Sequence, residues 1–268
     1  MRLALGIAIL FWGQVYALPV WQTQVLDEAA RLYEPAAQAE HVALNFITPL
    51  NQADLIASAE NNGVSAVVRI DGGVFSSSRL TPDSLRITIC HELGHIFGGA
   101  VRRHVPPEWD GAVADDGLSL MSSEGEADYY ATLVCFRKMI EGQDHRAALG
   151  ERKIPDRTKT KCEHSWGIGT DDALACERTA LASLDFLNFV VDFPISLERN
   201  APEVVAEPII DQYPTRQCRL DTLVAGALCR TSYPLQLDRN QAATSDCPQL
   251  EARRPACWYP HHDAVASL

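Results

Sequence analysis

The residues best suited to chemistry in this chain are His91-Glu92-Leu93-Gly94-His95. Histidines four positions apart on a helix lie about 40° apart around its axis, with Cβ atoms about 6 Å apart, so both imidazoles can reach one ion. The glutamate between them opens to the same side and can take a proton from a water held there. Ile87, Ile89, Leu93 and Ile96 flank the motif and predict a mostly buried helix. A buried His-Glu-His group with no cation to hold is an expensive arrangement. The pattern therefore predicts a metal site, with Zn2+ as the ion.

Catalytic zinc takes three protein ligands and leaves a fourth position open. A third histidine at HExxHxxGxxH spacing is excluded, because Gly98 fits but Val101 stands where the ligand should be. His104 comes three residues late, in a loop, and is a secondary candidate. The stronger candidate lies in Ser122 to Ala131, SSEGEADYYA. Ser123 and Glu126 read as an S-x-x-E capping box, which gives Glu126 a structural task. Glu124 is not used by that cap and has Asp128 one turn later on its own face. Glu124 is assigned as the third ligand. Asp128 is assigned as the carboxylate that orients a ligand histidine by accepting its free ring N–H. The competing explanation is an acidic first turn favoured by the helix dipole. His41, His145, His164, His261 and His262 show no ligand spacing and read as structural or solvated.

Elements must hold these groups in place. Gln22 to Arg31 predicts a first helix, with Pro35 near its end. After the turn Asn61-Asn62-Gly63, the β-branched run Val64 to Ile70 predicts a strand, stopped by Asp71-Gly72-Gly73. Thr81-Pro82-Asp83 starts the motif helix, which runs to about Phe97 and ends at Gly98-Gly99. Residues 100–121 form a long loop whose Trp109 either walls a cleft or packs on the surface. Helices are expected at Glu124 to Ile140, Asp171 to Phe193 and Gln217 to Cys229, with a polar stretch over 143–169. The fold class is α+β: mostly helical, with a small sheet beside the motif helix. The body spans 18–195, and 196–268 is a cysteine-containing extension packed on it.

With 268 residues, 47% hydrophobic and 22% charged, the composition is that of a globular protein and excludes a disordered chain. A net charge of −12 argues against nucleic acid as a partner. Met1 to Ala17 has Arg2, an apolar run from Leu3 to Trp12, and Val15-Tyr16-Ala17 before a cut. It reads as a secretory signal peptide cleaved after Ala17. Its apolar run is about half of the 20 or so residues a membrane span needs. A periplasmic or secreted monomer with no membrane insertion is expected. In that compartment the eight cysteines are disulfide candidates. Cys218 and Cys229 stand about 16 Å apart on one helix, beyond the roughly 7 Å a bridge allows, so each needs another partner. Cys90 projects about 100° from His91 and is not expected as a fourth ligand.

HExxH followed by Glu124-x-x-Ala127-Asp128 resembles the gluzincin metallopeptidases, whose pattern is HExxH and then ExxAD or ExxAN; the ImmA/IrrE-type group is among the nearest in pattern. CHELGHIFGGA, EGEADYYATLVC and QCRLDTLVAGALC are similar to secreted, cysteine-containing bacterial proteins described as candidate metalloproteases. The resemblance implies a zincin-like body with zinc on His91, His95 and Glu124, Glu92 as general base, and a peptide or polypeptide substrate. It also implies a sheet edge beside the motif helix where an extended substrate adds as a strand, for which Val64, Ala66 and Val68 are the candidates. Two alternatives use the same residues. One is an exported binding protein with a structural zinc, and the other an amidase of cell-wall peptide links.

Overall fold

A computed structural model describes residues 18–105, 113–189 and 193–261. The expected signal segment, Trp109 and His262 lie outside the described residues. Helix α1 (Val20–Ala39) is longer than expected and contains Pro35. Pro35 and Arg31, the residue whose carbonyl loses its donor, are both exposed, so water can satisfy the gap. Val25, Ala29, Tyr33 and Ala36 keep the buried face continuous past the proline.

Strands β1 (Ala43–Ile47), β2 (Ala57–Asn61) and β3 (Ser65–Ile70) form one sheet in the order β1-β3-β2. β1 is parallel to β3, and β2 antiparallel. This corrects the expectation that the Val64–Ile70 strand is a substrate edge. β3 is the middle strand, paired on both sides, with Ala66 and Val68 buried in the core and Val64 exposed before it. The reason is physical: a β-branched run marks the strand with the most burial, which is the centre of a sheet. The edge strand beside the motif helix is β2, whose sequence ASAEN carries almost no strand signal.

After the short helix α2 (Gly72–Ser76), α3 (Pro82–Phe97) carries the motif through the centre of the fold. Its start is a capping box: Ser84 N–H donates to Thr81 Oγ1 at 3.0 Å, and Thr81 N–H donates to Ser84 Oγ at 2.9 Å. From Ser84 to Phe97 every residue is buried, because α1, β2, α4 and α8 surround it. α4 (Glu124–Tyr130) continues through a π-helical turn (Ala131–Cys135) into α5 (Phe136–Met139). The polar stretch holds α6 (His145–Leu149) and α7 (Asp156–Trp166), and α8 spans Asp171–Asn188. α7 buries only Thr158 and Cys162, so it lacks the apolar stripe that would mark it in sequence.

α9 (Arg216–Leu228) lies inside the fold, against α4, α8 and the π turn. Gly226 permits that approach, since a Cβ there would stand 2.2 Å from Thr132 Oγ1. Leu220, Leu223 and Trp258 share one core with Leu93 and Phe136. All eight cysteines are bridged, as Cys90–Cys135, Cys162–Cys176, Cys218–Cys257 and Cys229–Cys247. Cys218 and Cys229 have separate partners, and Cys90 has no thiol to offer a metal. Four disulfides point to an oxidising, extracytoplasmic compartment. No described helix is long and apolar enough to cross a membrane.

Candidate metal centre

α3 and α4 meet backbone to backbone at Gly94 and Ala127. A Cβ on Gly94 would stand 2.7 Å from the Ala127 carbonyl oxygen and 2.9 Å from its Cα. The glycine inside the HExxH motif and the alanine of the ExxAD segment therefore set the distance between the ligand-bearing helices. At that distance, potential ligand atoms of His91, His95 and Glu124 all lie within 4.8 Å of one another. His91 Nε2 is 3.3 Å from Glu124 Oε2, and His95 Nε2 is 3.6 Å from Oε1. All three side chains are buried.

Two buried atoms of the cluster's side chains, His91 Nδ1 and Glu124 Oε2, have no hydrogen-bond partner, and the second points at the imidazoles. An orphan carboxylate oxygen away from water is costly, and a cation between it and the imidazoles would satisfy it. Two imidazole nitrogens and a carboxylate oxygen form a donor set suited to divalent transition metals. The buried His91/His95/Glu124 group could hold a metal ion.

Surrounding groups orient the ligands. His95 Nδ1 lies 2.9 Å from the Ser122 carbonyl oxygen, to which it donates, leaving the Nε2 lone pair for the centre. His91 Nδ1 lies 2.9 Å from Asp128 Oδ1, off the line of a well-aligned hydrogen bond. Arg219 of α9 grips Asp128 with two hydrogen bonds, of 2.6 and 2.8 Å. Asp128 thus lies against the ring of His91, and Arg219 behind it was not anticipated. Its signal was present: Arg219 sits between Cys218 and Leu220, both buried, and a charge so placed requires a buried partner.

Glu126 is structural, but through a different contact from the one expected. Its backbone N–H donates to Ser123 Oγ at 3.3 Å, while its carboxylate takes two hydrogen bonds of 2.7 Å from Arg254. Both side chains are fully buried. The expected capping box is a simple N-cap beside a buried ion pair.

Two further groups reach the centre. Arg103 Nη2 is 2.5 Å from Glu124 Oε1 and 3.3 Å from His95 Nε2, with its side chain 34% exposed. Tyr213 is 66% exposed overall, but partial burial of its hydroxyl and the nearby Glu124 carboxylate push its pKa up to about 12. Neither residue carries a spacing signal. His104 is not part of the cluster; it is exposed and pairs with Asp211 at 2.6 Å. His145 is buried beside Arg178, whereas His41 and His164 are exposed. His261 contacts the Arg254 carbonyl at 2.5 Å.

Among the protein groups themselves, burial pushes Glu92 up to about 7, partly offset by the charge of His91. Burial, reinforced by His91, pushes His95 down to about 3, so this imidazole is neutral. Burial also opposes charge on His91, but Asp128 and Glu124 outweigh it and raise the pKa to about 9. Against burial, the neighbouring His91 imidazole, 3.3 Å away, holds Glu124 well below the usual carboxylate range. A proton on His91 thus occupies the charge position that a metal would take, so metal uptake releases it. Comparison of the chain with protein-family models, curated proteins and solved structures returns no match.

Proposed function

We propose that the protein is an exported zinc-dependent peptidase of gluzincin type. The observation that carries this reading is the buried convergence of His91, His95 and Glu124 around an unpartnered carboxylate oxygen, next to Glu92. Zinc, when bound by these three side chains, supplies polarisation of the scissile carbonyl and acidification of a water. Glu92 would accept the proton of the attacking water and return it to the departing amine. Asp128, held by Arg219, fixes the ring of His91. The substrate is a polypeptide, and the free edge of β2 takes the place first given to β3 as the strand on which it extends. A closed structural site needs a fourth protein ligand, and Cys90 is not one because it is bridged.

Glu92→Gln tests the reading. The amide cannot accept a proton, so cleavage of a mixed peptide library should fall about 10²–10⁴-fold. Zinc content by mass spectrometry and thermal stability should match the wild type. A wild-type protein that binds one zinc yet cleaves neither peptides nor cell-wall peptide links would overturn the assignment in favour of a binding protein.

A further inference from the structure

Arg103 reaches the metal centre from the loop after α3, and its backbone is fixed there. Its N–H donates to the Met121 carbonyl at 2.9 Å, and its own carbonyl accepts from the Ser119 N–H at 3.1 Å. Arg102 beside it pairs with Ser122 in an isolated β-bridge. These pairings set where the side chain starts, so the guanidinium is held at the centre by more than its own contacts.

Only one nitrogen of that guanidinium is in use. Nη2 donates to Glu124 Oε1 at 2.5 Å, whereas Nε and Nη1 meet no acceptor among the described residues, and the side chain is 34% exposed. Nη2 lies 3.3 Å from His95 Nε2 and 3.4 Å from His95 Nδ1. An atom on the Nε2 lone pair would be much farther from Nδ1 than from Nε2. Arg103 therefore stands beside the place of an ion and not in it. Its charge is balanced only while Glu124 carries no metal, because a divalent ion there takes up the carboxylate's charge and adds its own. The other acids nearby are committed. Asp128 is held by Arg219, and Asp211, within reach of the same charge, is engaged by His104 at both oxygens, at 2.9 and 2.6 Å. Glu92 takes up a proton in the proposed reaction. A chain with a net charge of −12 thus presents an exposed guanidinium, short of counter-charge, beside its candidate metal site.

We propose that Arg103 determines specificity by binding a carboxylate of the substrate next to the scissile bond, so that the protein selects peptides with an acidic group there. This rests on the peptidase reading of the centre. Guanidinium N–H groups suit a carboxylate, which restores the charge that Glu124 gives up to the metal. Contact with a metal ligand at 2.5 Å places these donors within about one residue's length of the bond to be cut. An Asp or Glu side chain and a C-terminal carboxylate offer the same chemistry, and the test separates them.

Zinc-loaded Glu92→Gln, which should bind peptides without cutting them, is titrated with fluorescent hexapeptides. These differ by Asp against Asn at one position, or by a C-terminal carboxylate against an amide. The acidic form should bind about tenfold tighter or more at one position or at the C-terminus, and the difference should shrink with added salt. Where the preference falls identifies the source of the carboxylate. Arg103→Gln in the same background should keep its zinc and bind the acidic and amide forms equally. The proposal is overturned if no acidic form binds tighter or if the preference survives in Arg103→Gln. Loss of zinc from that variant also overturns it, by making Arg103 a support of Glu124 alone. Cleavage by the wild type is scored apart: a preference without cleavage refutes the peptidase reading alone, and cleavage without a preference refutes this inference alone.

Discussion

Glu126→Ala separates the roles of two glutamates in the first turn of α4. The Arg254 guanidinium is wholly buried, and two of its hydrogen bonds, both 2.7 Å, end on Glu126. Removing that carboxylate leaves a buried cation with Ser245 Oγ at 2.7 Å, the Ala242 carbonyl at 3.0 Å, the Ala100 carbonyl at 3.4 Å and Asp246 at 3.6 Å. Breaking one side of a buried pair costs about 3–5 kcal/mol, and these remaining acceptors put the expected loss at the lower end, about 3 kcal/mol. The N-cap survives, because Ser123 accepts from the backbone of Glu126. Had Glu126 served only in a capping box, the cost would be about 1 kcal/mol. For a chain of this size, about 3 kcal/mol lowers Tm by roughly 6–12 °C. Urea unfolding with disulfides intact measures the difference directly. Metal content should be unchanged, whereas Glu124→Ala should lose the metal. Replacing the pair together, as Glu126→Leu with Arg254→Met, should recover most of the stability. A loss of 1 kcal/mol or less, or metal leaving Glu126→Ala and remaining in Glu124→Ala, refutes the reasoning.

Two further outcomes follow from the same contacts. Arg219→Met strips Asp128 of its grip and should weaken metal binding about 10–100-fold, measured by competition with a chelating dye. It should also raise the pH midpoint of acid unfolding. Burial alone would raise the Asp128 pKa, but Arg219 outweighs it and holds it below 3.8; the pair's stabilisation is therefore complete above 3.8 and lost as pH falls through the depressed value. Gly94→Ala places a Cβ 2.7 Å from the Ala127 carbonyl oxygen and must push α3 from α4. About 1–3 kcal/mol of stability should go with it, together with metal affinity; an unchanged affinity would show that this contact does not set the ligand spacing.

The motif helix could be read from sequence because its determinants are local. Thr81, Pro82 and Ser84 fix its start within four residues, and the isoleucines around His91 announce its burial. Glu124 and Asp128 were accessible by the same logic, being one turn apart on one short helix. The sheet order was not, because strand signal reports burial rather than position. Val67 and Val68 speak loudly from the centre, while Ala57–Asn61 at the edge says almost nothing. α7 escaped for a related reason: a helix fastened by Cys162 to Cys176 needs little apolar surface.

What local reading could not supply is the partner of each acid in α4. Glu124, Glu126 and Asp128 are all buried, far deeper than a helix dipole requires of an acidic first turn. Each therefore needs a counter-charge, and two of the three come from far away. Arg219 reaches Asp128 across 91 residues of sequence, and Arg254 reaches Glu126 across 128. Both arginines are themselves buried, so each makes a closed pair that asks for nothing more. Glu124 differs. Its cation is Arg103, which is 34% exposed and touches Oε1, while Oε2 faces His91 with no hydrogen bond. Of the three buried acids at alternate positions 124, 126 and 128, only Glu124 lacks a dedicated buried arginine, and only Glu124 faces both histidines of the motif. Along α4 the fold thus supplies a buried arginine to Glu126 and to Asp128, and leaves Glu124 short of charge where a metal ion would complete it.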